Sequence, residues 1–104
     1  MIHKQRSVNP GKVVVVFEIP STIWADRVNL VGDFNNWDRE SLPLRQDRQG
    51  NWQVQMELDA GREYRFRYLF DDASWAYDWY ADKSVTDSGG GYDSIVIAEP
   101  PPAI

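Results

Sequence analysis

The sequence predicts an all-β fold, an immunoglobulin-like antiparallel β-sandwich of about seven short strands. Short segments rich in valine and aromatic residues alternate with clusters of turn-forming residues, and two of these segments alternate strictly between apolar and polar positions. We find no segment with helical spacing over three turns. A length of 104 residues suits one small domain with one core. We therefore divide the chain into a polar N-terminal tail (1–11), a single sandwich domain (12–98) and a proline-rich C-terminal tail (99–104).

The first half of the domain contains one clear strand and two weaker ones. Lys12–Ile19 (KVVVVFEI) combines branched side chains with a phenylalanine, which suit a pleated surface. Arg27–Val31 is the next apolar segment, and it leads into the sequence GDFNNWD, whose composition predicts a loop. Leu42–Leu44 is a candidate edge piece, because Pro43 has no N–H for a central ladder.

The second half predicts a β-hairpin. Asn51–Asp59 places four apolar side chains on one face and polar ones on the other, which is typical of a half-buried strand. After the turn at residues 59–61, aromatic side chains at 64, 66, 68 and 70 share one face, and Arg65, Arg67 and Leu69 share the opposite face. The aromatic segment Trp75–Tyr80 and a flexible Ser88–Gly91 follow, before a last strand at Ser94–Ala98.

Composition and charge exclude several classes of protein. The net charge is −5 without a block of like charge, so we expect neither nucleic acid nor an anionic membrane as a partner. There are no cysteines, which excludes disulfides and thiol nucleophiles and fits a reducing compartment. The N-terminus lacks the apolar run of a signal peptide, and the longest apolar stretch, Val13–Phe17, is too short to cross a bilayer. We expect a cytoplasmic protein.

The acidic and histidine residues do not predict an enzyme. Glycosidases need two carboxyl groups across a cleft, whereas the acidic residues here fall in turns or on wet strand faces, where we expect solvated carboxylates, as at Asp33, Asp38, Asp71 and Asp72. His3 lies in the predicted tail, which argues against a Ser-His-Asp system. No EF-hand spacing supports a calcium site. We therefore expect no catalytic residues, no metal site and no cofactor.

The aromatic residues divide into two groups. Strand alternation assigns six of them to the core: Phe17, Trp52, Tyr64, Phe66, Tyr68 and Phe70. Trp24, between Ile23 and Ala25, is predicted to lie in the core or at its edge.

Trp37 and Trp75 lie in segments rich in Asp, Asn and Ser, outside any alternating pattern. Either each folds back to cap its own hairpin, or the two form an exposed apolar platform that marks a binding site. Such a platform, with polar groups nearby, suits a sugar ring, which has an apolar C–H face and a rim of hydroxyl groups.

Four segments resemble family 48 carbohydrate-binding modules, also called isoamylase N-terminal or early-set domains: GDFNNW at 32–37, FRYLFDD at 66–72, Trp75 with Asp78, and GGGYDSIVI at 89–97. The likeness extends from about Val13 to Ala98. It implies an early-set sandwich that binds glycogen or starch. Such domains precede the catalytic barrels of glycoside hydrolase family 13 branching and debranching enzymes, and occur in the β subunit of AMP-activated protein kinase.

The resemblance also implies a carbohydrate-binding site. Trp37 matches the stacking tryptophan that ends the GxFNxW element, Arg67 matches a basic residue that hydrogen-bonds sugar hydroxyls, and Trp75 matches a second stacking tryptophan. Asn35 or Asn36 and Asp93 complete the implied site. The sequence departs from the glycogen-binding kinase subunits at Asp93, where they have an asparagine, and at 88–91, where they have a leucine.

Two hypotheses follow for the function. The first is a noncatalytic module that binds α-1,4-linked glucans (glycogen, starch or maltooligosaccharides) on exposed tryptophans. The alternative is a protein–protein docking domain of the same fold with little or no sugar binding, whose partner would be a glycan-active enzyme or a kinase. The initial methionine favours a complete short protein, with a domain cut from a longer one as the alternative.

Overall fold

Two antiparallel β-sheets form the fold in the computed structural model, which describes residues 1–78, 80–86, 89 and 91–101. The first sheet has the order β1-β2-β5-β4, with β1 at Ile2–Arg6, β2 at Lys12–Ile19, β4 at Arg45–Gln46 and β5 at Trp52–Asp59. The second has the order β3-β6-β9-β8, with β3 at Val28–Gly32, β6 at Glu63–Phe70, β8 at Lys83–Thr86 and β9 at Tyr92–Ile97; β7 at Ser74–Ala76 also pairs with β6. The predicted all-β sandwich is confirmed, with nine strands in the described part of the chain instead of about seven.

The core lies between the two sheets and is built on aromatic contacts. Phe17 of β2 meets Phe66 of β6 edge to face, with ring centroids 5.1 Å apart, and both side chains are fully buried. Phe66 packs in the same manner against Tyr68, and Phe34 tilts against Phe17. Trp52, as predicted, is buried. Full burial of one such side chain contributes roughly 1.5–3 kcal/mol to the free energy of unfolding, so these contacts stabilise the packing of the two sheets.

One edge of β6 carries two short strands placed end to end. β3 occupies the other edge, pairing with β6 from Phe66 to Phe70. β7 pairs Ala76 with Tyr68, and β9 pairs Ser94 with Phe66. Arg67 therefore lies level with the break between β7 and β9. The strand beside β6 is therefore interrupted at this level, and the outer face of the sheet carries the Arg67 side chain here.

The predicted N-terminal tail is wrong, because residues 2–6 form β1, which pairs with β2 from Ile2–Phe17 to Arg6–Val13. The segment IHKQR has one large apolar side chain, so its sequence lacks the alternation that predicts a strand. An edge strand needs little more than the unpaired N–H and C=O groups of its neighbour. His3 therefore lies on this strand, 3.9 Å from the Glu18 carboxylate.

Trp24 is also wrongly predicted, since its side chain is 95% exposed. The β2–β3 loop that carries it is held by polar contacts instead of by the indole. Asp71 accepts hydrogen bonds from the backbone N–H groups of Asp26 and Arg27, and Asn51 accepts one from Ser21. The apolar neighbours of Trp24 suggested burial, but the hydrogen bonds to Asp71 and Asn51 hold the loop without it.

Parts of three predicted segments lie outside the described residues: 79 of the aromatic segment, 88 and 90 of the glycine loop, and 102–104 of the C-terminal tail. The described part of the chain holds no helix with the length and apolar character needed to cross a membrane.

Candidate functional site

The loop after β3 begins with a close approach between two backbones. A side chain on Gly32 would place its Cβ 2.5 Å from the carbonyl oxygen of Arg65 and 2.9 Å from Phe66, distances that real Cβ atoms do not show. A 3-10 turn follows at Asp33–Asn35. The Asn35 side chain closes this turn: its Oδ1 accepts from the Gly32 N–H at 3.0 Å, and its Nδ2 donates to Asp38 O and Ser41 Oγ.

Trp37 is held in an unusual backbone conformation. Asn36 and Trp37 both have positive φ, at 55° and 58°. The left-handed region costs a residue with a side chain roughly 1–2 kcal/mol, and bulky residues seldom adopt it. The Trp37 N–H donates to Gly32 O at 2.9 Å, and its indole Nε1 donates to Asp33 Oδ1 at 3.0 Å. Since Asp33 Oδ2 accepts from the Arg65 N–H at 2.8 Å, the same carboxylate fixes the indole to β6.

Arg67 projects from the outer face of β6, opposite the core aromatics, as the alternation predicted. Its Nε donates to Asp93 Oδ1 on β9, and the second oxygen of Asp93 lies 3.9 Å from Arg65 Nη1. The Asp93 side chain is 7% exposed and that of Arg67 is 27% exposed. A charge-assisted bond to a buried carboxylate fixes the direction of the guanidinium more firmly than solvent would.

Trp75 reaches the same face through a tight hairpin. Asp71 and Asp72 both have positive φ, at 53° and 60°, a pair that is typical of the type I′ turn favoured in hairpins. The resulting register places Trp75 opposite Leu69, which points outward like Arg67. Arg39, from the loop beyond Trp37, lies over the Trp75 ring with its Cζ 5.3 Å from the centroid.

These residues meet in one surface, which we call the indole platform and define as Trp37, Arg67 and Trp75. The Cζ of Arg67 lies 5.9 Å from the ring centroid of Trp37 and 5.9 Å from that of Trp75. Both indoles remain exposed, at 37% and 41%. One guanidinium therefore spans the space between two accessible apolar rings, and a cleft of about 250 Å³ opens beside it.

The other predicted site residues take different positions. Asn36 is exposed beside Trp37, whereas the Asn35 amide is engaged within its own loop. Asp93 is buried and faces Arg67. Direct sugar contacts from Asn35 and Asp93 stay predictions, and the geometry gives both side chains a supporting place.

Sequence reasoning missed Asp33 and Arg39. Asp33 was expected to be a solvated turn carboxylate, but it bridges Trp37 and β6. Its position four residues before a tryptophan, at the end of a buried strand, was the available signal. Asp71 likewise accepts two backbone hydrogen bonds instead of facing only water. For Arg39 the sequence offers no signal.

Behind the platform, Asp78 ties three segments together. Tyr68 Oη donates to Asp78 Oδ2 at 2.7 Å, the Asp78 N–H donates to Ser94 Oγ, and the Tyr80 N–H donates to Asp78 Oδ1. Burial of Tyr68, reinforced by the neighbouring negative charge of Asp78, raises the pKa of the Tyr68 hydroxyl well above its usual value. Tyr68 is therefore a neutral donor at physiological pH.

No three His, Cys, Asp or Glu side chains in the described residues cluster closely enough to hold a metal ion. The groups on the platform can supply flat apolar surface and directed hydrogen-bond donors, which is the chemistry of binding.

Comparison with known proteins identifies the family to which the domain belongs. The family model of carbohydrate-binding module 48, the isoamylase N-terminal domain, matches residues 15–87. The chain is 44% identical over 50 residues to the 1,4-alpha-glucan branching enzyme GlgB of Aquifex aeolicus, covering 42% of this chain and 8% of that enzyme. It is 33% identical over 66 residues to the 1,4-alpha-glucan branching enzyme GlgB 2 of Xanthomonas campestris pv. campestris, covering 57% and 9%. The chain thus spans less than a tenth of these relatives. Because the family model covers most of the sandwich, the chain belongs to the carbohydrate-binding module 48 family.

Proposed function

We propose that this carbohydrate-binding module binds α-1,4-linked glucan chains, such as glycogen, starch or maltooligosaccharides, without catalysing a reaction. The observation that carries the proposal is the position of Arg67 between two exposed indoles, 5.9 Å from each ring centroid. The branching enzymes with which the chain shares sequence are named for 1,4-alpha-glucan, which supports this class of ligand.

Each part of the platform has a task that suits a sugar. The indoles of Trp37 and Trp75 offer flat apolar area for the C–H face of a glucose ring, and tryptophan does so with few rotatable bonds to immobilise. Arg67 offers N–H donors in a rigid fork for the hydroxyl rim, and exposed Asn36 adds an amide at the edge. Asp93 orients Arg67, and Asn35 with Asp33 shapes the loop that holds Trp37.

The conformation of Trp37 supports a binding role over a capping role. A tryptophan in the left-handed region is costly, and strain of this kind concentrates at functional sites. A residue that merely covered its own hairpin could do so from a relaxed backbone. The loop instead uses Asp33 to hold the indole outward.

The first prediction concerns Trp37→Ala, with Trp24→Ala as the matched control. Trp24 is a second exposed tryptophan, and it lies on the separate β2–β3 loop. Isothermal titration calorimetry with maltoheptaose should show wild-type binding and a loss of affinity of at least about tenfold for Trp37→Ala, because a stacking tryptophan is a typical hot spot. Trp24→Ala should bind like the wild type.

Thermal unfolding and near-ultraviolet circular dichroism check that both variants fold. Equal affinity of Trp37→Ala and wild type would show that the indole does not contact sugar. Absence of wild-type binding at millimolar sugar would reject the proposed function altogether.

A further inference from the structure

We infer that Tyr77 and Tyr92 form a second subsite for the same glucan chain, so that the site extends beyond the indole platform along the break in the sheet. This inference rests on the proposed function, because its ligand is the continuation of the chain bound at Trp37 and Trp75.

The two tyrosines form an exposed aromatic wedge. Their ring centroids are 5.8 Å apart and their planes meet at 50°. Tyr77 is 39% exposed and Tyr92 is 53% exposed. Neither contributes to the core cluster between the sheets. Two neighbouring aromatic rings that remain in contact with water at one place constitute an apolar patch that marks a binding surface.

The topology of the second sheet places this wedge next to the platform. β7 ends at Ala76 opposite Tyr68, and β9 pairs its Ser94 with Phe66. Tyr77 therefore stands where the chain leaves the edge of β6, and Tyr92 stands where it returns. Asp78, held by Tyr68 and Ser94, fixes this crossing point.

Two concave regions of the surface are both lined by the wedge tyrosines. The first, of about 250 Å³, is lined by Arg67, Trp75 and the two tyrosines together with Ala76 and Gly91. The second, of about 390 Å³, continues from Tyr77 and Tyr92 towards β8, where Asp82, Lys83 and Ser84 line it. Because the first region is lined by both Trp75 and the two tyrosines, a ligand seated on Trp75 can extend over the tyrosine rings.

The chemistry of the second region also fits a sugar. Flat rings are bordered by charged and hydroxyl side chains, which can hydrogen-bond the hydroxyl rim of a sugar. A short oligosaccharide fills the platform alone, whereas a longer one reaches the wedge. The subsite therefore predicts that affinity rises with chain length, and that the tyrosines supply that rise.

The test measures the affinity of maltotriose and maltoheptaose by calorimetry for the wild type, Tyr77→Ala, Tyr92→Ala and Tyr92→Phe. Tyr80→Ala is the matched control, since Tyr80 is 67% exposed and lines neither region. Both alanine variants of the wedge should lose about three- to tenfold in affinity for maltoheptaose, while maltotriose binding stays within about twofold. Tyr92→Phe keeps the ring and should retain the affinity for the longer chain.

A second measurement avoids substitution. In the wild-type protein, the aromatic ring resonances of Tyr77 and Tyr92 should shift with maltoheptaose and stay in place with maltotriose. Unchanged affinity in both alanine variants, or wedge resonances unmoved by the longer chain, overturns the second subsite and leaves the platform proposal standing. A wild-type protein that binds neither sugar overturns both proposals.

Discussion

Gly32 is a residue whose side chain would occupy space that the fold has already filled. Its Cβ would collide with the backbone oxygen of Arg65, which cannot move without shifting β6. The glycine lets β3 approach β6 closely just before the turn that leads to Trp37. Its φ of −171° is ordinary extended backbone, so close approach, and not conformational freedom, explains the glycine.

We predict that Gly32→Ala lowers the free energy of unfolding by roughly 1–3 kcal/mol, the usual range for overpacking. Gly61→Ala is the control: a Cβ there meets nothing within 4 Å, although its φ of 81° still carries a conformational cost of about 1 kcal/mol. Urea denaturation of the two variants and the wild type gives the comparison. Wild-type stability in Gly32→Ala would mean that the β3–β6 approach is looser than described.

Single residues also show where sequence reasoning succeeds and where it fails. Composition, strand alternation and the family motif singled out Trp37, Arg67 and Trp75 because each signal is local, and the fold brings the three together, while their role in binding stays a prediction. Trp24 was misplaced because apolar neighbours suggest burial even when polar anchors hold the loop. Asp33 was missed because its two partners, the Trp37 indole and the Arg65 N–H, are brought together only by the fold.

At the scale of elements, predictability follows the length of a strand and the pattern of its side chains. β2, β5 and β6 have eight residues each, and the sequence located all three to within one or two residues. β1 and β7 are short and bury few side chains, so these segments become strands because the edge of a neighbouring strand offers unpaired backbone groups. The break between β7 and β9, which shapes the second subsite, is therefore invisible in the sequence.

The Tyr68–Asp78 hydrogen bond joins β6 to the segment after β7, and it gives an alkaline limit to stability. Because the pKa of Tyr68 is raised in the folded state, the unfolded chain loses the Tyr68 proton above pH ~10 while the folded protein keeps it. The contribution of Tyr68 to the free energy of unfolding is therefore fully present below that pH. It decreases by about 1.4 kcal/mol per pH unit as the pH rises towards the folded-state pKa.

We predict that Tyr68→Phe is destabilised by roughly 1–3 kcal/mol at neutral pH, since buried Asp78 loses a donor. The variant should also lose less stability than the wild type between about pH 10 and 11. Urea denaturation at pH 7, 10 and 11 measures both effects. A variant with the same alkaline slope as the wild type would show that Tyr68 does not govern this limit.

At the scale of the whole molecule, the second sheet separates the core from the proposed binding surface. The inner faces hold the core, and the outer face of the second sheet carries the platform beside the β7–β9 break. The chain corresponds to less than a tenth of the branching enzymes that it resembles. The proposed glucan ligand contacts this outer face, on the opposite side of the second sheet from the core.

Two-dimensional nuclear magnetic resonance of the indole N–H groups during titration with maltoheptaose tests the central claim most directly. The indole resonances of Trp37 and Trp75 should shift together in a saturable manner, because both rings lie beside Arg67. The resonances of buried Trp52 and of Trp24 on its separate loop should stay in place. Shifts confined to Trp24, or unmoved resonances of Trp37 and Trp75 at millimolar sugar, would contradict the proposal that the indole platform binds glucan.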